Sequence, residues 1–446
     1  MNTTTIHISN IIDSQRIDVS YFKETSGTDR FVPLSKYVEV KGGKRIPKGE
    51  SFSFENTNYL YLRLSEITDP YNIDYTALKN ISEDLFNTLH RYEITNNQVV
   101  FSIAGTIGRV FTIKNIPQGK RVILTENCAK LQPKDGKILP DFISILLGCD
   151  FVQQQIGQNR IKTTIPKIGL DRIAKLKVPE LPSLKKQQEI VDIYSNAQKE
   201  RLKKKREAEQ LLDGIDDYLF SSLQIEKPQR STPNRLSQKQ NVSSIIGGRL
   251  DPLQFHIERT NMIDRIKQVR FCRLKDVVIN SKSIVKELAN NDIYIGLENI
   301  DGKTGEYNPL TEKESVSSAA VFCKGNILFP KLRPYLNKVH RVQFDGCCST
   351  EFHVFEARNI HPEFLTIVLR SKMILAQTKH LMTGNTLPRL QTTDIENLII
   401  PYPDIETQEK IVAHVTKIKE QAKQLQKEGD ISIEKTKQKI ENLLIQ

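Results

Sequence analysis

The chain has 446 residues, is 38% hydrophobic and 26% charged, and carries a formal net charge of +12, which suits an ordinary folded protein of roughly three domain-sized units, or two with extra helical elements. Six cysteines without a Cys-X-X-Cys pair and eight histidines without ligand spacing exclude a disulfide framework and a zinc ribbon, so no metal site is expected. No apolar run approaches the ~18 residues of a membrane span and no signal-like core follows the N-terminus, so the chain is expected in the cytoplasm, and its basic bias favours a polyanionic partner.

In chain order, residues 1–181 predict a globular domain. Its apolar segments at 59–64 and 98–103 are short, rich in Val, Ile, Tyr and Phe, and bounded by turn residues, which predicts strands. A helical patch covers 141–147. Pro182-Ser183 then opens a long helix (182–224), with Ser183 as N-cap. Ile190, Tyr194, Ala197, Arg201, Lys204, Ala208, Leu211, Ile215 and Tyr218 step by four and three along it, a heptad seam that is polar in its middle. Residues 225–248, rich in Gln, Ser, Asn and Lys with Pro228 and Pro233, predict a polar linker. A second globular domain follows at 249–402, with strands at 293–297 and 326–329 and a helical patch at 362–369. A second long helix (403–446) opens on Asp404 as N-cap. Ile411, Val415, Ile418, Ala422 and Leu425 form its seam, Gly429-Asp430 disturb the phase, and Ile433, Ile440 and Leu443 resume it shifted. Neither helix buries its seam alone, so each is the natural partner of the other, through Ile190, Tyr194, Leu211, Ile215, Ile411, Val415, Ile418 and Leu425. A helix of about 36 residues spans ~54 Å.

The two halves repeat. Arg16-Ile17-Asp18 returns as Arg249-Leu250-Asp251, Val99-Val100-Phe101 as Ile327-Leu328-Phe329, Thr125-Glu126 as Thr350-Glu351, and Pro166 and Pro179 as Pro388 and Pro401. The order holds while the offset runs from 222 (166 to 388) to 240 (34 to 274). Such a period is too long for a solenoid and marks a duplicated domain. The fold class predicted is α+β: two similar mixed-sheet domains and two long antiparallel coiled-coil helices, with pseudo-two-fold symmetry. Duplex DNA is a two-fold object as well.

Catalytic signatures are missing. Asp69-Pro70-Tyr71 lacks the second proline of an amino-methyltransferase turn. Gly302-Lys303-Thr304 lacks the first glycine of a phosphate loop, so Asp301-Gly302 is read as a tight turn, as is Asp135-Gly136-Lys137. No catalytic residue is assigned. Basic loops remain. Lys41, Lys44, Arg45 and Lys48 cluster around Gly42-Gly43, and Arg160, Lys162 and Lys167 form a second loop, with Arg109 nearby in the same copy. The other copy offers Lys282 with Lys286, Lys331 with Arg333 and Lys338, and Lys379-His380 with Arg389. Cations on loops suit phosphate oxygens and guanine edges; any one of them alone reads as a solvated surface residue. The run from Lys199 to Arg206 lies mid-helix and reads first as flanking the seam.

GNILFPKLRPYLNKV (325–339), the proline-bounded segments IPKIGLDRIAKLKVP (165–179) and LPRLQTTDIENLIIP (387–401), and the helix openings KKQQEIV (185–191) and TQEKIV (407–412) resemble the DNA-specificity subunit of type I restriction–modification systems, over essentially the whole chain. The family's helix opening usually carries a Glu-Gln pair; here the order is Gln187-Gln188-Glu189 and Gln408-Glu409. The resemblance implies that each globular domain is a target-recognition domain reading one half of a bipartite, asymmetric DNA site. It implies that the helices hold these domains apart and dock two copies of a methyltransferase subunit. That partner would bind S-adenosylmethionine, and an ATP-dependent restriction subunit would cut DNA, so this chain holds no cofactor. The competing expectation is a non-enzymatic coiled-coil adaptor whose globular domains bind protein.

Overall fold

The structure, a computed structural model, describes residues 31–67, 73–159, 167–228, 252–281, 283–286, 293–309, 318–384 and 386–445. The chain divides into two compact units: Met1–Lys203 with Glu428–Gln446, and Lys204–Lys427. Both long helices are therefore shared between the units, each contributing one stretch to either.

The strands of the first unit's two four-stranded sheets are β1 (Val38–Gly42), β2 (Tyr59–Leu62), β3 (Lys79–Asn80), β4 (Glu93–Ile94), β5 (Val99–Ser102), β6 (Val110–Thr112), β7 (Arg121–Leu124) and β8 (Cys128–Pro133). One sheet is wholly antiparallel, in the order β1-β8-β5-β6. The other runs β3-β2-β7-β4, with β2 and β7 parallel. Strand β5 is buried along its length because it lies between two cores. Val99 and Phe101 join the helices on one side, and Val100 joins Leu60, Leu62 and Val122 between the sheets on the other. This is why the segment reads as a continuous apolar run and not as an alternation. The helices of this unit include α1 (Glu83–Leu89), α2 (Pro140–Gly148) and α3 (Asp150–Gln158). Ser82 caps α1 by accepting from the Leu85 N–H at 3.2 Å, a bond worth about 1 kcal/mol. From α2, Phe142 is fully buried, contributing roughly 2–3 kcal/mol by removal of its ring from water.

The second unit repeats the plan. The strands of its two four-stranded sheets are β9 (Val278–Ser281), β10 (Ile284–Val285), β11 (Tyr294–Ile295), β12 (Ala319–Phe322), β13 (Ile327–Pro330), β14 (His340–Arg341), β15 (Gly346–Cys348) and β16 (Phe352–Ala357). The antiparallel sheet is β9-β16-β13-β14. The other is β10-β12-β15-β11, again with one parallel pair, β11 and β15. Ile327 and Phe329 face the helical core and Leu328 the core between the sheets, the division seen in β5. The units differ at the sheet edges: β3 lies outside β2 in the first, whereas β10 lies outside β12 in the second.

The first long helix forms α4 (Leu184–Asp213) and α5 (Ile215–Ser222). Gly214 breaks it only nominally, since its N–H reaches the Gln210 carbonyl and its own carbonyl accepts from Tyr218, both at 3.1 Å. The second unit adds α6 (Ile257–Ile266), α7 (Pro362–Arg370) and α8 (Lys372–Thr378), and the chain closes on α9 (Ile405–Ile445, 41 residues). Asp404 caps α9 as predicted, accepting from the Thr407 N–H at 2.9 Å; the Ser183 contact to Lys186 is longer, 3.4 Å. A buried glutamine pins each opening. Gln187 accepts from the Leu139 N–H at 2.9 Å and donates to the Lys137 and Pro182 carbonyls. Gln408 accepts from the His361 N–H at 2.8 Å and donates to the Pro403 carbonyl. These are the Gln-containing openings that carried the family resemblance.

One expectation for the seam needs correction. Gly429-Asp430 disturb the phase without interrupting the helix: α9 runs through them, and Gly429 is a buried seam residue against which Arg201 packs. Seam steps of four then follow one another, which shifts the phase and buries Leu444 while leaving Leu443 37% exposed. Ile225, assigned to the linker from composition, is buried in the core of the second unit.

Candidate nucleic-acid interface

In each unit the chain leaves the parallel strand pair through a short turn that carries it into the antiparallel sheet. In the first unit that turn is Thr125-Glu126, between β7 and β8. The segment after β1 runs close beside it: the Gly43 N–H donates to the Cys128 carbonyl at 2.9 Å and the Lys44 N–H to the Leu124 carbonyl at 3.0 Å. A Cβ on Gly43 would stand 2.0 Å from the Thr125 oxygen, so only glycine allows this approach. The next side chain but one is thereby delivered to Glu126, and the Arg45 Nε donates to it at 2.7 Å. The Thr125 hydroxyl (2.8 Å) and the Tyr61 hydroxyl (3.2 Å) donate to its other oxygen. Burial pushes the Glu126 carboxyl up, and these bonds outweigh it, so its pKa lies below the usual carboxylate value. Burial also raises Tyr61 to about 12, keeping that hydroxyl a donor.

In the second unit the equivalent turn is Thr350-Glu351. Here the carboxylate receives a forked pair from Arg389, Nε to Oε2 at 3.0 Å and Nη2 to Oε1 at 2.7 Å. The Arg389 bonds hold the Glu351 pKa down. Arg389 is fixed through its backbone too, exchanging two bonds of 2.9 Å with Thr383 and bridging to Leu332. In the first unit Lys167 occupies the same place, bridging to Ala104. The flanking bonds also recur: Ile168 N–H to Ile103 carbonyl and Leu390 N–H to Lys331 carbonyl, each 3.0 Å.

The cations singled out from sequence thus separate by what holds them. Arg160, Lys162 and Lys282, with Asp69-Pro70-Tyr71 and the Arg16 and Arg249 repeats, lie outside the described residues. Arg109, Lys331 and Lys338 are tied to backbone carbonyls of their own unit, Ile67, Thr350 and Leu297 respectively, at 3.0, 2.8 and 2.7 Å. Burial lowers the Lys331 pKa. Arg333 sits at a left-handed φ of 47°, a conformation bulky side chains adopt only where the surroundings impose it; here its N–H is held by the Pro388 carbonyl at 2.8 Å. Lys41 pairs with Glu39 at 2.8 Å and Lys379 with Glu258 at 3.0 Å. Lys44, Lys48, Lys167 and Lys286 are exposed. Asp301-Gly302 is the turn expected, with the Asp301 carboxylate accepting from the Lys303 and Thr304 N–H groups. What the sequence reading missed is the acid: the Thr-Glu repeat was visible, but not that each glutamate holds an arginine.

The helix residues are placed as follows. Ile190 and Tyr194 lie in the core of the first unit with Ile440 and Leu444. Ile411 and Val415 lie in the core of the second with Leu219, and Ile215 packs against it. Leu211, Ile418 and Leu425 are half-buried.

Among the described residues one group, His256, Glu258 and His380, brings metal-ligand types together. The two imidazoles stack face to face, centroids 3.5 Å apart and 18° between planes. A metal lies in the plane of a ligating ring, so near-parallel stacked rings do not converge on one ion. His256 Nδ1 also accepts from the Glu258 N–H at 3.3 Å to cap α6, and Lys379 already sits on the Glu258 carboxylate. Nor is any helix among the described residues long and apolar enough to cross a membrane.

The family profile described as "Type I restriction modification DNA specificity domain" matches residues 31–211 and 267–435, one match in each half. Two curated relatives from Escherichia coli are similar to the chain. The type I restriction enzyme EcoDI specificity subunit is 26% identical over 153 residues, 34% of each chain, and the EcoBI specificity subunit is 26% identical over 130 residues, 29% of this chain and 26% of that one. The aligned part is thus about a third of the relatives' length. A crystal structure of the type I restriction–modification S subunit from M. genitalium covers 93% of this chain and 94% of its own, at 14% identity and a TM-score of 0.39. With its profile matched twice and over most of the sequence, the chain belongs to the type I restriction–modification DNA specificity family.

Proposed function

We propose that the chain is the sequence-reading, non-catalytic subunit of a DNA-modifying complex. Each unit reads one half of a bipartite, asymmetric double-stranded site, and the long helices dock methyltransferase subunits, two copies in all. Restriction subunits join the same assembly. S-adenosylmethionine and ATP belong to those partners. The observation that carries this reading is the duplicated sheet plan in which an equivalent turn, Thr125-Glu126 and Thr350-Glu351, presents an arginine at the surface, and does so from a different loop in each unit. Two readers of one architecture with different loops suit two different half-sites. Half-sites approached from one side of the duplex lie about one turn, ~34 Å or ~10 base pairs, apart.

The test is enrichment of a randomised duplex library by the purified full-length chain, followed by sequencing. Two short motifs at a fixed separation are expected. A library recovered without sequence preference overturns the reading and favours an adaptor whose globular units bind protein.

A further inference from the structure

The structure assigns Arg389 and Arg45 as the guanine-reading side chains of the two units, each presented by a glutamate, Glu351 or Glu126, that is itself fixed at the exit of the parallel strand pair. This rests on the DNA-reading function proposed above. A phosphate contact needs only a cation within reach, whereas reading a base edge needs donors fixed in orientation. Arg389 meets that requirement. Its fork to Glu351 uses Nε and Nη2. Of the five guanidinium hydrogens, both on Nη1 and the outer one on Nη2 remain, and the end of the group keeps two parallel donors, the pattern that matches guanine O6 and N7. The backbone on either side is clamped by Thr383 and Leu332. Glu351 is clamped as well, through its carbonyl, which accepts from the Lys331 N–H at 2.8 Å.

The first unit reaches the same construction by another route. Lys167 stands where Arg389 does but carries a single ammonium and no planar fork, so it cannot hold the glutamate side-on and still keep two parallel donors at its end. Arg45 arrives instead from the loop after β1, and its side chain stays 78% exposed while its Nε is held by Glu126. Stability alone is a weak reason to build this twice, because exposed ion pairs contribute about 0–1 kcal/mol. The acid is the constant part and the arginine's loop of origin the variable part, which sets the guanine at a different place in each half-site.

The library enrichment tests this directly, with full-length Arg389→Lys, Glu351→Gln, Arg45→Lys and, for comparison, Lys48→Ala. The wild-type motif is expected to hold a guanine in each half. Arg389→Lys and Glu351→Gln should relax discrimination at one guanine of one half by roughly 10- to 100-fold and leave the other half unchanged. Arg45→Lys should do the reverse, and Lys48→Ala should weaken binding without altering either half. Thermal unfolding accompanies each variant; because Lys keeps charge and length, Arg389→Lys decides the case if Glu351→Gln unfolds. A motif unchanged in folded Arg389→Lys, relaxation at a base other than guanine, or a wild-type motif with no guanine in one half overturns the assignment while leaving DNA reading intact. Loss of all sequence preference in the wild type removes both.

Discussion

Gln155 and Gln377 make the same pair of hydrogen bonds at equivalent places in the two units. Gln155 on α3 donates Nε2 to the Lys177 carbonyl at 2.9 Å and accepts from the Lys177 N–H at 2.8 Å. Gln377 on α8 does the same to Ile399, at 2.9 and 2.9 Å. Each carboxamide stands in for a strand beside a short ladder, Lys177–Val178 on Val32–Pro33 and Ile399–Pro401 on Phe271–Arg273. Replacing either with Leu strands one N–H and one carbonyl, buried at Ile399 and part-buried at Lys177, each costing up to about 1–3 kcal/mol. Gln155→Leu should destabilise the first unit and Gln377→Leu the second by roughly 2–4 kcal/mol. Denaturant unfolding, with limited proteolysis to locate the opened unit, checks this; an unchanged midpoint would refute it.

His353 predicts a pH dependence of stability. Burial lowers its pKa from 6.5 to about 4, and the Asn280 amide donates to its Nδ1 at 3.0 Å. Between those two values the unfolded chain binds the extra proton and the folded chain does not. The contribution is therefore fully present above pH 6.5 and lost as pH falls toward 4, amounting to roughly 3 kcal/mol. Unfolding of wild type and His353→Gln across that window should show the steeper fall in the wild type. Parallel curves would place the titration elsewhere.

Much of this fold was legible because its signals are local. Within segments 98–103 and 326–329, the runs 99–101 and 327–329 are apolar without a break, and that is the consequence of lying between two cores. The helix openings and Asp404 cap follow from chemistry within a few residues. Sheet order was not legible, since nothing in the spacing says that β2 pairs with β7 or that the edge strands differ. Nor were the arginine–glutamate pairs: Arg45 and Glu126 are 81 positions apart and Arg389 and Glu351 are 38. The repeat marked the acid, and only the fold chose between Arg45 and Lys167 as its partner. Leu443 was misplaced because the seam was continued from Ile440 by a step of three where the helix takes four, to Leu444.

The exposed lysines predict how binding responds to salt. Lys44 and Lys48 lie at the surface, whereas Lys331 is committed to the Thr350 carbonyl. Replacing Lys44 and Lys48 together by Ala should lower the slope of log K against log salt by up to about 2, near 0.9 for each phosphate that is no longer neutralised. Lys331→Ala should lower stability and leave the slope alone. Anisotropy titrations from 50 to 200 mM salt measure both, and an unchanged slope in the double variant takes that loop off the DNA.

Helix register makes a prediction about spacing. In the first unit Arg201 Nε donates to Asp430 at 2.7 Å; in the second Tyr218 stacks on His414 with centroids 3.9 Å apart. The facing numbers add to 631 and 632, one antiparallel register within each unit. A heptad removed from 199–210 must therefore be matched by one removed around Asp430. If the helices set the gap between half-sites, that paired deletion shortens it by ~10 Å, or about three base pairs, and keeps both motifs. An enriched site with its original spacing would show that the helices are not the ruler.

A fragment ending at Leu223 should dimerise. In the whole chain the Ile190 and Tyr194 face is covered by Ile440 and Leu444 of α9, which the fragment lacks. The offset from Gln187 to Gln408 carries Ile440 onto Leu219 and Leu444 onto Leu223. Both leucines are buried in the second unit of the intact chain, and in the fragment they lose that environment. Two apolar faces of matching period are then left on one molecule, each complementary to the other on a second copy, and a two-fold dimer buries both. Light scattering should report twice the fragment mass, and library enrichment a symmetric repeat of the first half-motif. Leu219→Asp should return the fragment to a monomer. A wild-type fragment that stays monomeric would mean that α9 does more for the first unit than cover this face.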